Sequence, residues 1–101
     1  MYQLTIDGET YKVDLFRKKY VNGGLAIRLD YFEEDFQGWV PFSFLTVNLG
    51  RLNDGYAYVD TNNCPWAEDF IQKNGLGEFT GKTCTSGFCT YPLYKFNMDK
   101  I

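Results

Sequence analysis

The sequence predicts a single α+β domain over residues 1–101, built mainly as an antiparallel β-sheet of about five to six strands with one short amphipathic helix packed on it. Several segments alternate apolar and polar residues with a period of two, which is typical of half-buried strands. Turn signals that contain glycine separate several of these segments. Only one segment has helical spacing, so parallel strands, which need crossover helices, are disfavoured. The length of 101 residues and the 45% hydrophobic content suit one core.

The first three strands follow from this alternation. Residues 2–6 and 10–16 flank Asp7 and Gly8. This turn pair favours a β-hairpin, because both central residues of a type I′ turn need a positive φ. A third alternating segment covers residues 25–32 and ends in an acidic turn.

The middle of the chain is less regular. Residues 39–49 are apolar on both faces, which predicts a strand near the centre of a sheet or under a helix. Pro41 cannot donate to a strand ladder, so we expect an edge, a bulge or a bent entry there, with regular pairing from near Phe44. Residues 53–55 predict a turn into a further strand at residues 56–60.

One helix of about ten residues is predicted to begin at Pro65, whose missing N–H suits the first helical position. The pair Asn74 and Gly75 indicates its end. Residues 75–81 are interpreted as a helix cap and turn, followed by a loop as far as Gly87. The last predicted strand covers residues 88–96 and is interrupted by Pro92.

Composition excludes several classes of function. The chain has no histidine, which rules out Ser/His/Asp and Cys/His catalysis as well as imidazole metal sites. The net charge of −3 argues against binding to nucleic acid or to an anionic membrane surface. No apolar run approaches the length of a membrane span, and the first residues do not have the pattern of a signal peptide. We therefore expect a cytoplasmic protein. A small metal-dependent enzyme is the least favoured function, because carboxylates, Lys, Tyr and Cys are the acid/base groups that remain and no spacing assembles them.

Three cysteines, Cys64, Cys84 and Cys89, fall in the last forty residues. If the loop before the final strand folds back over the helix, their thiolates could bind a structural Zn²⁺, with Asp60, Asp69 or water as the fourth ligand. Two alternatives stay open: the cysteines are small apolar residues of the core, or Cys84 and Cys89 form a disulfide.

The densest acidic cluster is a candidate site for binding a basic surface on a partner. The alternative is a solvated turn. Tyrosine is enriched at protein interfaces because it combines apolar area with a polar tip. The candidate partner-binding residues are Asp30, Tyr31, Glu33, Glu34 and Asp35, and further candidates for an exposed aromatic patch are Tyr20, Tyr56, Tyr58, Tyr91 and Tyr94. The alternative is that most of these tyrosines belong to the core or to the sheet faces.

Several blocks, above all residues 74–77 (Asn-Gly-Leu-Gly) and 91–94 (Tyr-Pro-Leu-Tyr), resemble a family of small uncharacterised proteins from mobile elements of Gram-positive bacteria. By analogy with other small acidic proteins of such elements, the resemblance implies an anti-CRISPR protein. Such a protein would bind a type II RNA-guided DNA nuclease and block nucleic-acid loading or cleavage without catalysis. The alternative is an accessory protein of a plasmid, integrative element or phage that acts through another protein partner, with or without structural zinc.

Overall fold

The computed structural model describes all residues 1–101 and contains two four-stranded antiparallel sheets and one helix. The α+β class and the antiparallel pairing are confirmed, but eight strands are present where five to six were predicted. In chain order the elements are β1 (Tyr2–Ile6), β2 (Glu9–Lys19), β3 (Leu25–Glu33), β4 (Gly38–Phe44), β5 (Thr46–Val47), β6 (Tyr56–Val59), α1 (Ala67–Lys73), β7 (Gly77–Ser86) and β8 (Cys89–Phe96).

The first sheet has the strand order β1-β2-β3-β4. Asp7 and Gly8 have φ angles of 51° and 83°, as a type I′ turn requires, so the predicted first hairpin is confirmed. Because side chains alternate along each strand, the residues of this sheet that belong to the core cluster lie on one face. The buried members of that face are Leu4, Val13, Leu15, Ile27 and Leu29.

The predicted strand over residues 39–49 is divided between the two sheets. Leu45 lies between β4 and β5, where its N–H donates to the carbonyl of Ile27 (2.9 Å) and its carbonyl accepts from the N–H of Asp60 (2.8 Å). The first of these bonds reaches the first sheet and the second reaches the end of β6. The edge position expected at Pro41 is confirmed, because β4 is the edge strand of its sheet. The central position that the apolar pattern of residues 39–49 favoured is wrong. The bulge expected at Pro41 is present beside it, although pairing already begins at Gly38.

The second sheet has the strand order β5-β6-β8-β7. Strand β7 occupies residues that were predicted as a turn and a loop. Its residues are nearly all exposed, so no apolar periodicity indicates a strand. Backbone pairing with β8 defines it instead, from Gly77 opposite Phe96 to Ser86 opposite Cys89.

The helix has seven residues and begins at Ala67, two residues after the predicted start, because Pro65 and Trp66 form the turn that precedes it. Its buried face packs onto one core of 15 residues, which also receives side chains from both sheets. The hydroxyl of Tyr94, on β8, donates to Glu68 (2.7 Å) and accepts from Gln72 (2.8 Å). These two bonds tie the helix to the second sheet.

Candidate functional site

The candidate site lies at the turn between β3 and β4, and we call it the β3–β4 tip. It consists of Glu33, Glu34, Asp35, Phe36 and Trp39. Glu33 is the last residue of β3, and the next three residues are exposed in the turn. The side-chain amide of Gln37 donates to the carbonyl of Glu34 (2.8 Å) and closes the turn. The sequence forms a turn here because its polar run ends the alternation of β3, and Gln37 takes a positive φ of 56°.

The three carboxylates of the tip have no cationic partner within the protein. The chain has two ion pairs within 4.0 Å, one between the N-terminus and Asp14 and one between Arg28 and Asp30. Within the tip, the backbone N–H of Asp35 points to Glu33 Oε1 at 3.4 Å. The tip therefore presents acidic charge that is free to meet a basic surface.

Aromatic surface adjoins these carboxylates. Phe36 is 63% exposed and Trp39 is 36% exposed. The Trp39 ring packs edge-on against Phe32, with 5.4 Å between the ring centroids, and Lys12 Nζ lies 4.9 Å from the centroid of Phe32. The site thus combines anionic groups with apolar area, a mixture that suits a protein interface.

Two predicted site residues are placed elsewhere. Asp30 is only 3% exposed, and Arg28 binds its carboxylate through two hydrogen bonds of 2.8 and 3.0 Å. Tyr31 is half-buried and packs edge-on against Tyr11 and Phe42 on the core side of the sheet. The acidic site therefore contains Glu33, Glu34 and Asp35, without Asp30 or Tyr31.

The exposed aromatic residues are mainly phenylalanines, which the sequence analysis missed. Tyr94 is fully buried and the other candidate tyrosines are half-buried. Phe88, in the β7–β8 turn, is fully exposed, and Phe36 is the most exposed aromatic residue of the first sheet and its turns. The available signal for Phe36 was its place between an acidic run and a glycine, where a chain turns and cannot bury a ring.

The structure does not bring the three cysteines together. Cys64 is buried in the core, where its Sγ donates to the carbonyl of Phe44 (3.6 Å) and lies 3.2 Å from Ser43 Oγ. Burial raises the pKa of the Cys64 thiol, which disfavours the thiolate that a metal would need. Cys84 and Cys89 are free thiols on the β7–β8 hairpin. No group of three or more metal-ligating side chains is assembled, so the structure does not support the zinc prediction.

The fold and the tip define a small α+β protein of two antiparallel sheets with an acidic and aromatic turn at one end of the first sheet. Residues 13–101 match the family described as a domain of unknown function (DUF4313). The chain belongs to this family, which confirms the resemblance to small uncharacterised proteins. Neither a curated protein nor a solved structure matches the chain. The single helix lacks the length and the apolar character that crossing a membrane requires.

Proposed function

We propose that this protein is a non-enzymatic inhibitor that binds a type II RNA-guided DNA nuclease through the β3–β4 tip. The observation that carries the proposal is the set of three unpaired carboxylates beside the exposed rings of Phe36 and Trp39. Charged groups that have no partner in the free protein lose no internal ion pair when a partner binds. The adjoining aromatic area supplies apolar surface of the kind that dominates binding energy at interfaces.

An RNA-guided nuclease offers a surface that suits the tip. It holds its nucleic acids in a positively charged channel. An acidic tip on a chain of net charge −3 complements such a channel, and long-range attraction would speed association. Blocking the channel requires only a stable complex. The resemblance to proteins of mobile elements is what selects this partner among basic proteins, and it implies action in the bacterial cytoplasm.

The test is a DNA-cleavage assay with purified type II nucleases, with the protein added before guide RNA, after guide RNA or after target DNA. We expect cleavage to be lost in at least one order, and the order then identifies the blocked step. The triple variant Glu33→Lys, Glu34→Lys, Asp35→Lys should not inhibit. A charge-matched control is Asp69→Lys, Glu78→Lys, Asp99→Lys, because these three carboxylates are also exposed but lie outside β3, β4 and the turn between them.

A separate variant tests the contribution of the exposed aromatic ring to binding. Phe36→Ala removes an exposed ring without disturbing the core, so we expect an unchanged fold and an affinity at least about tenfold weaker. Phe88→Ala is the control, because that ring is also exposed but lies in the β7–β8 turn of the other sheet. Inhibition that survives both the triple charge reversal and Phe36→Ala would remove the tip as the binding surface. Full cleavage with several nucleases would instead favour the accessory-protein function.

A further inference from the structure

A cleft of about 480 Å³ lies where the end of β2 and the β2–β3 turn meet the loop before β6. We call it the basic cleft. Its cations are Arg17, Lys18 and Lys19, its polar loop is formed by residues 53–55, and its apolar lining comes from Leu25, Leu52 and Met98. Its volume falls in the range of clefts that bind small molecules, roughly 300–1,000 Å³.

The charge of this cleft is opposite to that of the chain. Three of the ten basic residues line it, and no carboxylate lies within 4.0 Å of any of them. Asp54 is the one carboxylate in the lining, so the cleft carries three positive charges and one negative charge. Like charges gathered without internal partners are destabilising in the free protein, and an anionic ligand would relieve that repulsion.

Strand geometry places two of the cations on the same face. Arg17 lies opposite Ile27 and Lys19 lies opposite Leu25, on the face of β2 that continues the buried position of Leu15. Side chains two residues apart on a strand share a face. A guanidinium and an ammonium side by side can meet several oxygens of one anion.

Backbone donors add to these cations. The N–H groups of residues 52–55 donate no hydrogen bond to any other group of the protein. Gly55 itself is buried, with a φ of 83°. Consecutive backbone N–H groups in a turn can form an anion-binding concavity. A phosphoryl group, with three acceptor oxygens and up to two charges, fits this set of donors better than a carboxylate does.

We infer that the basic cleft binds a phosphorylated small molecule of about mononucleotide size. Arg17, Lys19 and the turn at residues 53–55 hold the phosphoryl group, and Leu52 and Met98 contact the less polar part of the ligand. This inference is independent of the proposed function, because the cleft and the β3–β4 tip share no residue.

The test is isothermal titration calorimetry of the full chain with three probes: pyrophosphate, ADP and a short single-stranded oligonucleotide. We expect ADP to bind more tightly than pyrophosphate, and both to bind less tightly as salt is raised. The variant Arg17→Gln, Lys19→Gln should weaken both by about tenfold or more. The matched control Lys73→Gln, Lys95→Gln removes the same charge from exposed positions outside the cleft and should leave both affinities unchanged. Leu52→Ala should weaken ADP alone.

Four results would overturn the inference. No heat with ADP or pyrophosphate at millimolar concentration would show that the cleft is not an anion site. Equal losses in the cleft variant and in its control would show unspecific attraction. Equal affinities for ADP and pyrophosphate would show that the nucleoside part of ADP makes no favourable contact with Leu52 and Met98. Binding of the oligonucleotide without binding of ADP would indicate a nucleic-acid surface in place of a small-molecule site.

Discussion

At the scale of single residues, an acidic side chain either forms an ion pair within the protein or stays free to bind a partner protein. Asp30 and Glu33 are close in sequence and both are acidic, yet one is buried and the other lies at the β3–β4 tip. Arg28 lies two residues before Asp30 on the same face of β3 and forms an ion pair with its carboxylate. The Cζ atom of Arg28 also lies 5.3 Å from the ring centroid of Phe16. Side chains two residues apart share a face only in a strand, so this ion pair can be predicted only after β3 has been recognised as a strand.

The first prediction concerns this ion pair. Asp30→Ala removes a nearly buried carboxylate and leaves the Arg28 guanidinium without its partner. We expect the free energy of unfolding to fall by about 1–3 kcal/mol, since the side chain of Arg28 is 28% exposed and stays partly hydrated. Urea unfolding monitored by circular dichroism measures the change. Asp99→Ala, at an exposed position outside the basic cleft, should change stability by less than about 0.5 kcal/mol. Equal effects of the two substitutions would contradict the assigned role of the pair.

At the scale of elements, the position of β7 depends on backbone pairing and that of the helix depends in part on two hydrogen bonds. The apolar periodicity of the sequence indicates neither interaction. Strand β7 has almost no buried side chain, and its place in the second sheet depends on pairing with β8. The helix is too short to be stable alone, because isolated helices below roughly 12–15 residues are marginal in water. Its buried face and the bonds from Glu68 and Gln72 to Tyr94 hold it on the sheet.

The second prediction concerns that link. Burial, followed by the hydrogen bond to Glu68, raises the pKa of Tyr94 from 10.0 to about 12. The unfolded chain therefore loses the Tyr94 proton before the folded chain does as pH rises. The contribution of this hydroxyl to stability is fully present below pH 10 and is lost between pH 10 and about 12. Tyr94→Phe should cost about 1 kcal/mol at neutral pH.

Urea midpoints of the wild type and of Tyr94→Phe between pH 8 and 12 measure both effects. The wild type should lose stability more steeply above pH 10 than the variant does, because only the wild type carries the shifted hydroxyl. Comparison with the variant cancels the other tyrosines and lysines that titrate in this range. Parallel curves for the two proteins would contradict the assignment.

At the scale of the whole molecule, two sheets and a helix share one core. The core cluster of 15 buried residues includes Val13 and Ile27 from the first sheet, Val59 and Tyr94 from the second, and Phe70 from the helix. The buried face of each sheet packs against side chains of the other sheet and of the helix within this one cluster. Neither sheet could therefore keep its apolar face buried if the other unfolded. We therefore expect the sheets to unfold together.

The third prediction follows from this shared core. Trp39 reports on the first sheet and Trp66 on the turn before the helix, so each single-tryptophan variant, Trp39→Phe and Trp66→Phe, isolates one reporter. Fluorescence of either variant and its far-ultraviolet circular dichroism should give the same urea midpoint, as a two-state transition requires. Separate midpoints for the two probes of one variant would show that the molecule does not unfold as one unit.

Local signals predicted much of this fold. The Asp7-Gly8 turn, the alternation of β1 to β3 and the edge character of Pro41 follow from steric and hydrogen-bonding rules that act over a few residues. The same rules placed Glu34 and Asp35 in a turn, and Glu33 lies at the end of the strand before it. They could not exclude Asp30, because its burial depends on packing across the sheet. Phe36 had a local signal in the turn, which the prediction missed by favouring tyrosines.

By itself, the sequence determined the α+β class, the antiparallel pairing, the lack of histidine chemistry and the acidic turn, since these depend on composition and on short-range pattern. Only the tertiary structure decided that the chain changes sheets at Leu45, that Cys64 is separated from Cys84 and Cys89, and that Arg17 and Lys19 line a cleft with residues 53–55. The physical reason is that these features join residues far apart in the chain, and the packing of one shared core sets their distances.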